Sequence, residues 1–281
     1  MTSPMTGIVI RPLDLEEIEV LIGWAKVEGW NPGLADAAPF QAADRQGFIG
    51  CFVDGVMAAG LSAVRYGQDF GFIGLYIAHP DFRRMGYGRR VWDAGMAHLG
   101  GRTIGLDGVP EQQANYRSMG FTPDYETWRW SGAAEGRSDP DIRPADDADM
   151  SQLLDFDSQH FAGRRADFLH EWIKAPRLAK VLIRNGTIAG YAVARPCHEG
   201  YKIGPLFATD VAGAKALLRA CAAELPGEML HLDVPEGQAE FSADLQDRGF
   251  ARGFQTTRMY RGAAPVFDLA GVFGVTTLEL G

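Results

Sequence analysis

The chain is poor in cysteine: Cys51, Cys197 and Cys221 stand far apart among 281 residues and are odd in number. That pattern argues against a disulfide framework or a zinc site and fits a reducing compartment, so a cytoplasmic protein without metal is expected. Cys51 sits in an apolar strand-like run and reads as core, and no other residue looks like a covalent relay nucleophile. No apolar run reaches the ~18 residues that a membrane-spanning helix needs. The opening MTSPMTGIVI has no basic flank followed by a long apolar core, so no secretory leader is expected. Basic charge is also in deficit, with 27 Lys and Arg against 36 Asp and Glu for a net charge of −9. Nucleic-acid binders carry the opposite balance, so neither nucleic acid nor membrane is expected as a partner.

What the sequence has in quantity is self-similarity. Ile10-Arg11-Pro12 returns as Ile142-Arg143-Pro144, and the turn signal Asp54-Gly55 returns as Asn185-Gly186. Leu106-Asp107-Gly108-Val109-Pro110-Glu111 is echoed by Leu232-Asp233-Val234-Pro235-Glu236, and Gly120-Phe121 by Gly249-Phe250. These landmarks keep their order at a spacing of about 130 residues, which is the size of a domain and not of a solenoid repeat. The stretch SGAAEGRSDPD over 131–141 has the composition of a linker. Two homologous domains follow, over 1–131 and 141–281.

In the first domain, patterning predicts a strand over 7–12, a helix over 14–27 and a short helix over 34–43. Strands follow over 47–53, 56–65 and 70–78, the first two joined by the Asp54-Gly55 hairpin turn. A helix over 87–99, a strand over 102–107, a helix over 111–118 and a final strand over 121–130 complete it. This order describes an α/β fold with a mixed sheet and one parallel crossover.

The chemistry is expected where strand 70–78 meets helix 87–99. The connection HPDFRRMGYGRR places two glycines directly ahead of a helix whose first N–H groups are unpaired and sit at the positive end of its dipole. With Arg83, Arg84, Arg89 and Arg90 nearby, this makes a cradle for a phosphate or pyrophosphate.

The run from Arg83 to Gly88 fits Arg-x-x-Gly-x-Gly and resembles the acyl-CoA loop of the GNAT superfamily of acetyltransferases. Tyr116-Arg117-Ser118-Met119-Gly120-Phe121 resembles that superfamily's Tyr-x-x-x-Gly-Phe, and Glu28-Gly29-Trp30-Asn31-Pro32-Gly33 with the second copy resembles its tandem members. The resemblance implies two tandem GNAT-like domains, each a mixed, mostly antiparallel sheet flanked by helices. It implies acetyl-CoA as acyl donor, held by Arg83, Arg84, Met85, Gly86, Tyr87, Gly88 and Arg89. Backbone groups of Tyr76, Ile77 and Ala78 would hold the pantetheine arm, and Tyr116 would protonate the leaving thiolate. Small-molecule primary amines are favoured over protein as acceptors, by direct transfer in a ternary complex. A non-catalytic acyl-CoA or metabolite sensor is the alternative. Monomer and homodimer are both compatible with the sequence.

Three points depart from the family pattern or stay open. The glutamate that many members carry near the carbonyl-binding strand is matched here by Phe72. Asp107, at the end of the strand across the slot, is the expected base, with a turn-capping role as its other reading; Glu28 and Asp69 come after it. Trp30 and Asn31 suit an acceptor wall, whereas packing between the domains would explain Trp30 equally well. In the second copy the glycine loop is shortened by four residues to TDVAGAKA, without arginine or Gly-x-Gly, and no tyrosine matches Tyr116. That domain is expected to have lost donor binding and to serve the acceptor side or the fold. The closing stretch VFGVTTLELG over 272–281 alternates like a strand, and it would either complete a sheet or close the pocket.

Overall fold

A computed structural model describes residues 7–281; part of the opening stretch read above for a leader lies outside them. The first half runs β1 (Ile8–Pro12), α1 (Leu15–Val27), α2 (Ala37–Ala43), β2 (Phe48–Val53), β3 (Val56–Tyr66) and β4 (Phe70–Ala78). It continues through α3 (Tyr87–Leu99), β5 (Thr103–Gly108), α4 (Gln113–Ser118) and β6 (Thr122–Gly132). The second half repeats the plan with β7 (Ile142–Pro144), α5 (Met150–His160), α6 (Ala166–Trp172), β8 (Leu178–Arg184), β9 (Thr187–Pro196) and β10 (Tyr201–Ala208). After these come α7 (Val211–Ala223), β11 (Leu230–Pro235), α8 (Ala239–Asp247), β12 (Ala251–Arg261) and a short β13 (Val272–Gly274).

The repeated landmarks are repeated devices. Arg11 grips Glu17 with both guanidinium nitrogens at 2.6 Å, and Glu17 completes a capping box with Asp14 at the start of α1. Arg143 grips Asp149 at the same two distances, and Asp149 completes a box with Asp146. Both hairpins turn through two left-handed residues, Asp54 and Gly55 (φ 50° and 84°) and Asn185 and Gly186 (φ 52° and 77°), as the twist of the flanking strands requires.

Three expected boundaries shift for local reasons. The helix expected over 34–43 starts only at Ala37, because Gly33 bridges to Cys197 and the Asp36 carboxylate is spent on the Gly33 N–H. The helix expected over 111–118 opens as a 3-10 turn at Pro110–Gln112. Ser131 and Gly132, read as linker, pair with β11 as the end of β6.

Among the described residues thirteen strands form one sheet, in the order β1-β2-β3-β4-β5-β12-β6-β11-β10-β9-β8-β7, with β13 alongside β10. The two halves have exchanged their last long strands: β12 of the second pairs with β5 of the first, and β6 of the first pairs with β11 of the second. Two buried ion pairs fasten this exchange. Arg129 of β6 holds Asp233 of β11 at 2.8 and 2.9 Å, and Arg258 of β12 holds Asp107 of β5 at 2.9 and 3.0 Å.

Strand alternation sends Phe48 and Phe52 into a core shared by both halves, which also takes Ile18 from α1 and Phe168 from α6. Ile49 and Cys51 face the opposite way, into a core with Val91 and Trp92 of α3. The second half has its own counterpart of that core under α7 and α8. The shared core ties the halves into one packed body along one face of the sheet.

Candidate active site

The site begins where β4 leaves β5. Their parallel ladder runs from Phe70↔Thr103 to Ile73↔Leu106 and stops there. On its other edge β4 stays paired with β3 as far as Ala59↔Ala78, but the register slips between Ser62↔Gly74 and Gly60↔Ile77. The bulge puts Leu75 at φ 47°, a conformation that costs a leucine about 1–2 kcal/mol. Tyr76, Ile77 and Ala78 therefore have β3 on one side and an open cleft on the other. They line that cleft, of about 580 Å³, together with Arg83, Trp30 and Tyr116.

Helix α3 points its N-terminus beside this cleft. Its first flanking residue is Gly86 at φ 88°, and no side chain caps the helix. Its leading N–H groups are thus available to a ligand anion. A Cβ on Gly88 would stand 3.0 Å from the Tyr76 hydroxyl, so this glycine lets the first turn close onto the end of β4. Arg83 donates from Nε to the Ala78 carbonyl at 3.1 Å and pairs with Glu28. Tyr87 packs edge-on to Phe82. Arg84, Met85 and Arg89 are exposed on the loop and first turn, Arg89 paired with Asp93 at 2.8 Å.

Tyr116 reaches the cleft from α4, its ring stacked on Trp92 with centroids 5.9 Å apart. Burial pushes its phenol up to about 12, aided by the neighbouring Tyr76, so it keeps its proton throughout the neutral range. Behind Tyr116 the cleft continues into an inner pocket of about 60 Å³. That pocket is lined by Gly74 and Leu75 of the first half and by Phe254, Thr256, Leu278 and Glu279 of the second.

Asp107 lies at the cleft as the sequence suggests, but both its oxygens are occupied by the Arg258 guanidinium. Burial raises its pKa, and Arg258 opposes that rise. Its counterpart Asp233 makes the same bidentate pair with Arg129. An aspartate kept in both copies, with an arginine at the matching place in both last strands, is the mark of a structural clasp. Asn31 also stands elsewhere than expected. Its amide nitrogen donates to the Glu199 carbonyl at 2.9 Å and its oxygen accepts the Glu199 N–H at 3.0 Å, joining the halves, and it lines neither cavity. Trp30 does line both cavities, and its carbonyl is held by Lys202 Nζ at 2.9 Å. The residues that sequence reasoning missed, Phe254, Leu278 and Glu279, arrive by long-range packing. Leu278 and Glu279 fall in the 272–281 stretch read above as completing a sheet or closing the pocket, and it does both: Val272–Gly274 joins the sheet beside β10, and Leu278 and Glu279 line the inner pocket.

The equivalent place in the second half is built differently. The β10–β11 ladder pairs Tyr201↔Leu230 and Lys202↔His231, and beyond it β13 inserts, pairing with β10 at Leu206 and Phe207. Val275 then donates its N–H to the Asp233 carbonyl of β11 at 2.9 Å. Helix α7 is capped by its own Asp210, whose carboxylate accepts the Gly213 N–H at 2.7 Å.

Among the described residues no helix is long and apolar enough to cross a membrane, and no three His, Cys, Asp or Glu side chains gather as metal ligands. Residues 15–121 match the model of the acetyltransferase (GNAT) family, and residues 153–274 match a second model, an acetyltransferase (GNAT) domain. Holothin acyltransferase of Pseudoalteromonas sp. (strain SANK 73390) is 32% identical over 275 residues, covering 96% of this chain and 94% of that protein. The uncharacterized N-acetyltransferase YitH of Bacillus subtilis (strain 168) is 25% identical over 203 residues, 69% of this chain and 71% of that one. Among solved structures, a putative acetyltransferase from Pyrococcus horikoshii superposes with a TM-score of 0.79 at 18% identity, covering 100% of this chain and 98% of the other. A tandem GNAT protein from the clavulanic acid biosynthesis pathway gives 0.62 at 14% identity, over 92% and 100%. At those identities the likeness is one of fold. Two family matches in series, and a relative aligned along nearly the whole of both chains, lead to one conclusion: the protein belongs to the GNAT acetyltransferase family, as a tandem member and an acyl-CoA N-acyltransferase.

Proposed function

We propose that the protein moves an acetyl group from acetyl-CoA to a primary amine of a small molecule, by direct attack in a ternary complex. The observation that carries this reading is the single continuous cleft. It runs from Arg83, in the loop ahead of the uncapped α3, past the free edge of β4 and the Tyr116 phenol, to a narrow inner pocket that shares Trp30, Tyr76 and Tyr116 with it. The donor's pyrophosphate suits the α3 end, where N–H groups and the loop arginines supply positive charge. Its pantetheine arm suits the free edge of Tyr76, Ile77 and Ala78, whose backbone groups lack β5 as a partner. The thioester then comes to rest near Tyr116, whose high pKa fits it to protonate the departing thiolate.

The inner pocket supports a small acceptor. It is confined, and its walls come from both halves of the chain, so a protein segment would have to be threaded deep between them. The relative named holothin acyltransferase favours the same class of acceptor. In this reading residues 1–131 hold the donor and most of the chemistry, and residues 141–281 complete the acceptor wall.

Mixing the purified protein with acetyl-CoA and a panel of small amines, with free thiol as readout, tests the proposal. Thiol release that depends on an amine, with the matching N-acetyl product, is expected. Binding of acetyl-CoA without turnover on any amine would favour the sensor instead.

A further inference from the structure

Amide formation requires the acceptor nitrogen to be unprotonated, and a primary amine with a pKa near 10 is an ammonium ion at neutral pH. Some group must take its proton. Asp107 is held by Arg258, and Phe72 of β4 is apolar and fully buried. On the same strand, two residues beyond Phe72, stands Gly74. A Cβ there would lie 2.1 Å from the Glu279 carbonyl oxygen, so the missing side chain of Gly74 is the seat of another residue's backbone.

That backbone is fixed from several directions. The Glu279 carbonyl accepts from Ser62 Oγ at 3.0 Å, and the Leu280 carbonyl accepts from Tyr66 Oη at 2.9 Å. Thr277 Oγ1 takes both the Glu279 and Leu280 N–H groups at 3.0 Å. The segment over 275–281 is thus pinned across β3 and β4, and Glu279, its one acidic residue, is among those that line the inner pocket with Tyr116. The Glu279 side chain is 5% exposed. Its Oε2 has no hydrogen-bond partner, and the nearest guanidinium nitrogen, Arg195 Nη2, is 3.8 Å away. A buried carboxylate oxygen with an unmet bond is costly, and it persists where a ligand supplies the partner.

We infer that Glu279 receives the acceptor's ammonium group and removes its proton, a role that rests on the acetyl-transfer reading above. The step balances as follows. The ammonium gives one proton to Glu279, which passes it to solvent. The nitrogen lone pair then forms the C–N bond to the thioester carbonyl, and the C–S pair leaves with sulfur. Tyr116 protonates the thiolate, and the second nitrogen proton, lost as the amide forms, returns through solvent to the Tyr116 phenolate. Net, an ammonium and acetyl-CoA yield an amide, CoA thiol and one proton. The charged groups whose fields reach Glu279 are Arg195 of β9, Arg129 of β6, Lys202 of β10 and Asp107 of β5, the last neutralised by its pairing with Arg258.

The test compares wild type with Glu279→Gln and Glu279→Asp, using acetyl-CoA and the amine that wild type turns over fastest. Glu279→Gln should bind acetyl-CoA as wild type does by calorimetry while kcat/KM for the amine falls about 100- to 10,000-fold at neutral pH. The deficit should shrink as pH rises toward the amine's own pKa, because the acceptor then arrives deprotonated. Should the Gln variant not fold, Glu279→Asp carries the test: its carboxylate is drawn back by one methylene, and at least a tenfold loss with unchanged acetyl-CoA affinity is expected. Wild-type kcat/KM and pH profile in either folded variant would overturn the inference. If wild type releases no thiol with any amine, calorimetry with amines decides: binding lost in Glu279→Gln keeps Glu279 as the acceptor group and overturns turnover alone, whereas binding indifferent to Glu279, or none, overturns both.

Discussion

Both halves of the chain build a parallel strand pair that parts midway, and they differ in what fills the gap. Between β4 and β5 the gap stays open as a cleft, and the helix beside it begins at a glycine without a cap. Between β10 and β11 the chain inserts its own β13, and the helix beside it is capped by Asp210. One place offers unpaired backbone and a positive helix end; in the other, the protein's own atoms satisfy both. The lesson is that two copies of one fold can differ by what is built into the same gap, since here the slot of the second is occupied by structure. The same segment ties the two together. A Cβ on Gly204 would meet the Thr276 carbonyl at 2.4 Å and one on Gly74 the Glu279 carbonyl at 2.1 Å, so Ile73-Gly74 of β4 and its match Ile203-Gly204 of β10 seat one strip of chain twice.

The largest expected effect is at the open helix end. Gly86→Asp puts a side chain at φ 88° and a negative charge where the donor's pyrophosphate is proposed to sit, and it should abolish acetyl-CoA binding by calorimetry. The reciprocal change, Asp210→Gly, should leave acetyl-CoA affinity untouched.

Next come the paired clasps. Asp107→Asn and Asp233→Asn each leave a buried guanidinium uncompensated, and each should cost roughly 3–5 kcal/mol in denaturant unfolding. Similar losses would mark Asp107 as structural; an Asp107→Asn protein of full stability with no activity would restore it as the base.

How much of this was legible in the chain follows from the range of each interaction. The hairpin glycines, the capping boxes and the Gly-x-Gly ahead of α3 are local signals, and they place the strands, the helices and the donor end of the cleft. The strand exchange is invisible to such reasoning, because β5 reads the same whether its neighbour is β6 or β12. Asp107 reads as a base from its place at the end of the strand across the slot, and nothing local shows its partner Arg258, which lies 151 positions away. The hydrogen bond that seats Glu279 spans 217 positions, and nothing in TTLELG marks its glutamate as different from a surface residue.

Two smaller effects sharpen the account. Tyr116→Phe removes one hydroxyl and should lower kcat about tenfold to a thousandfold while leaving acetyl-CoA affinity near wild type, as stopped assays of thiol release would read. Asn31→Ala removes the two bonds to the Glu199 backbone and should cost about 1 kcal/mol of stability with little change in kcat, measured by thermal unfolding and turnover together.

The difference between an open and a filled slot is tested most directly by counting donor sites. Calorimetric titration of the full chain with acetyl-CoA should give one site per chain, lost in Gly86→Asp and retained in Asp210→Gly. Two sites per chain, or a single site that survives Gly86→Asp, would contradict it.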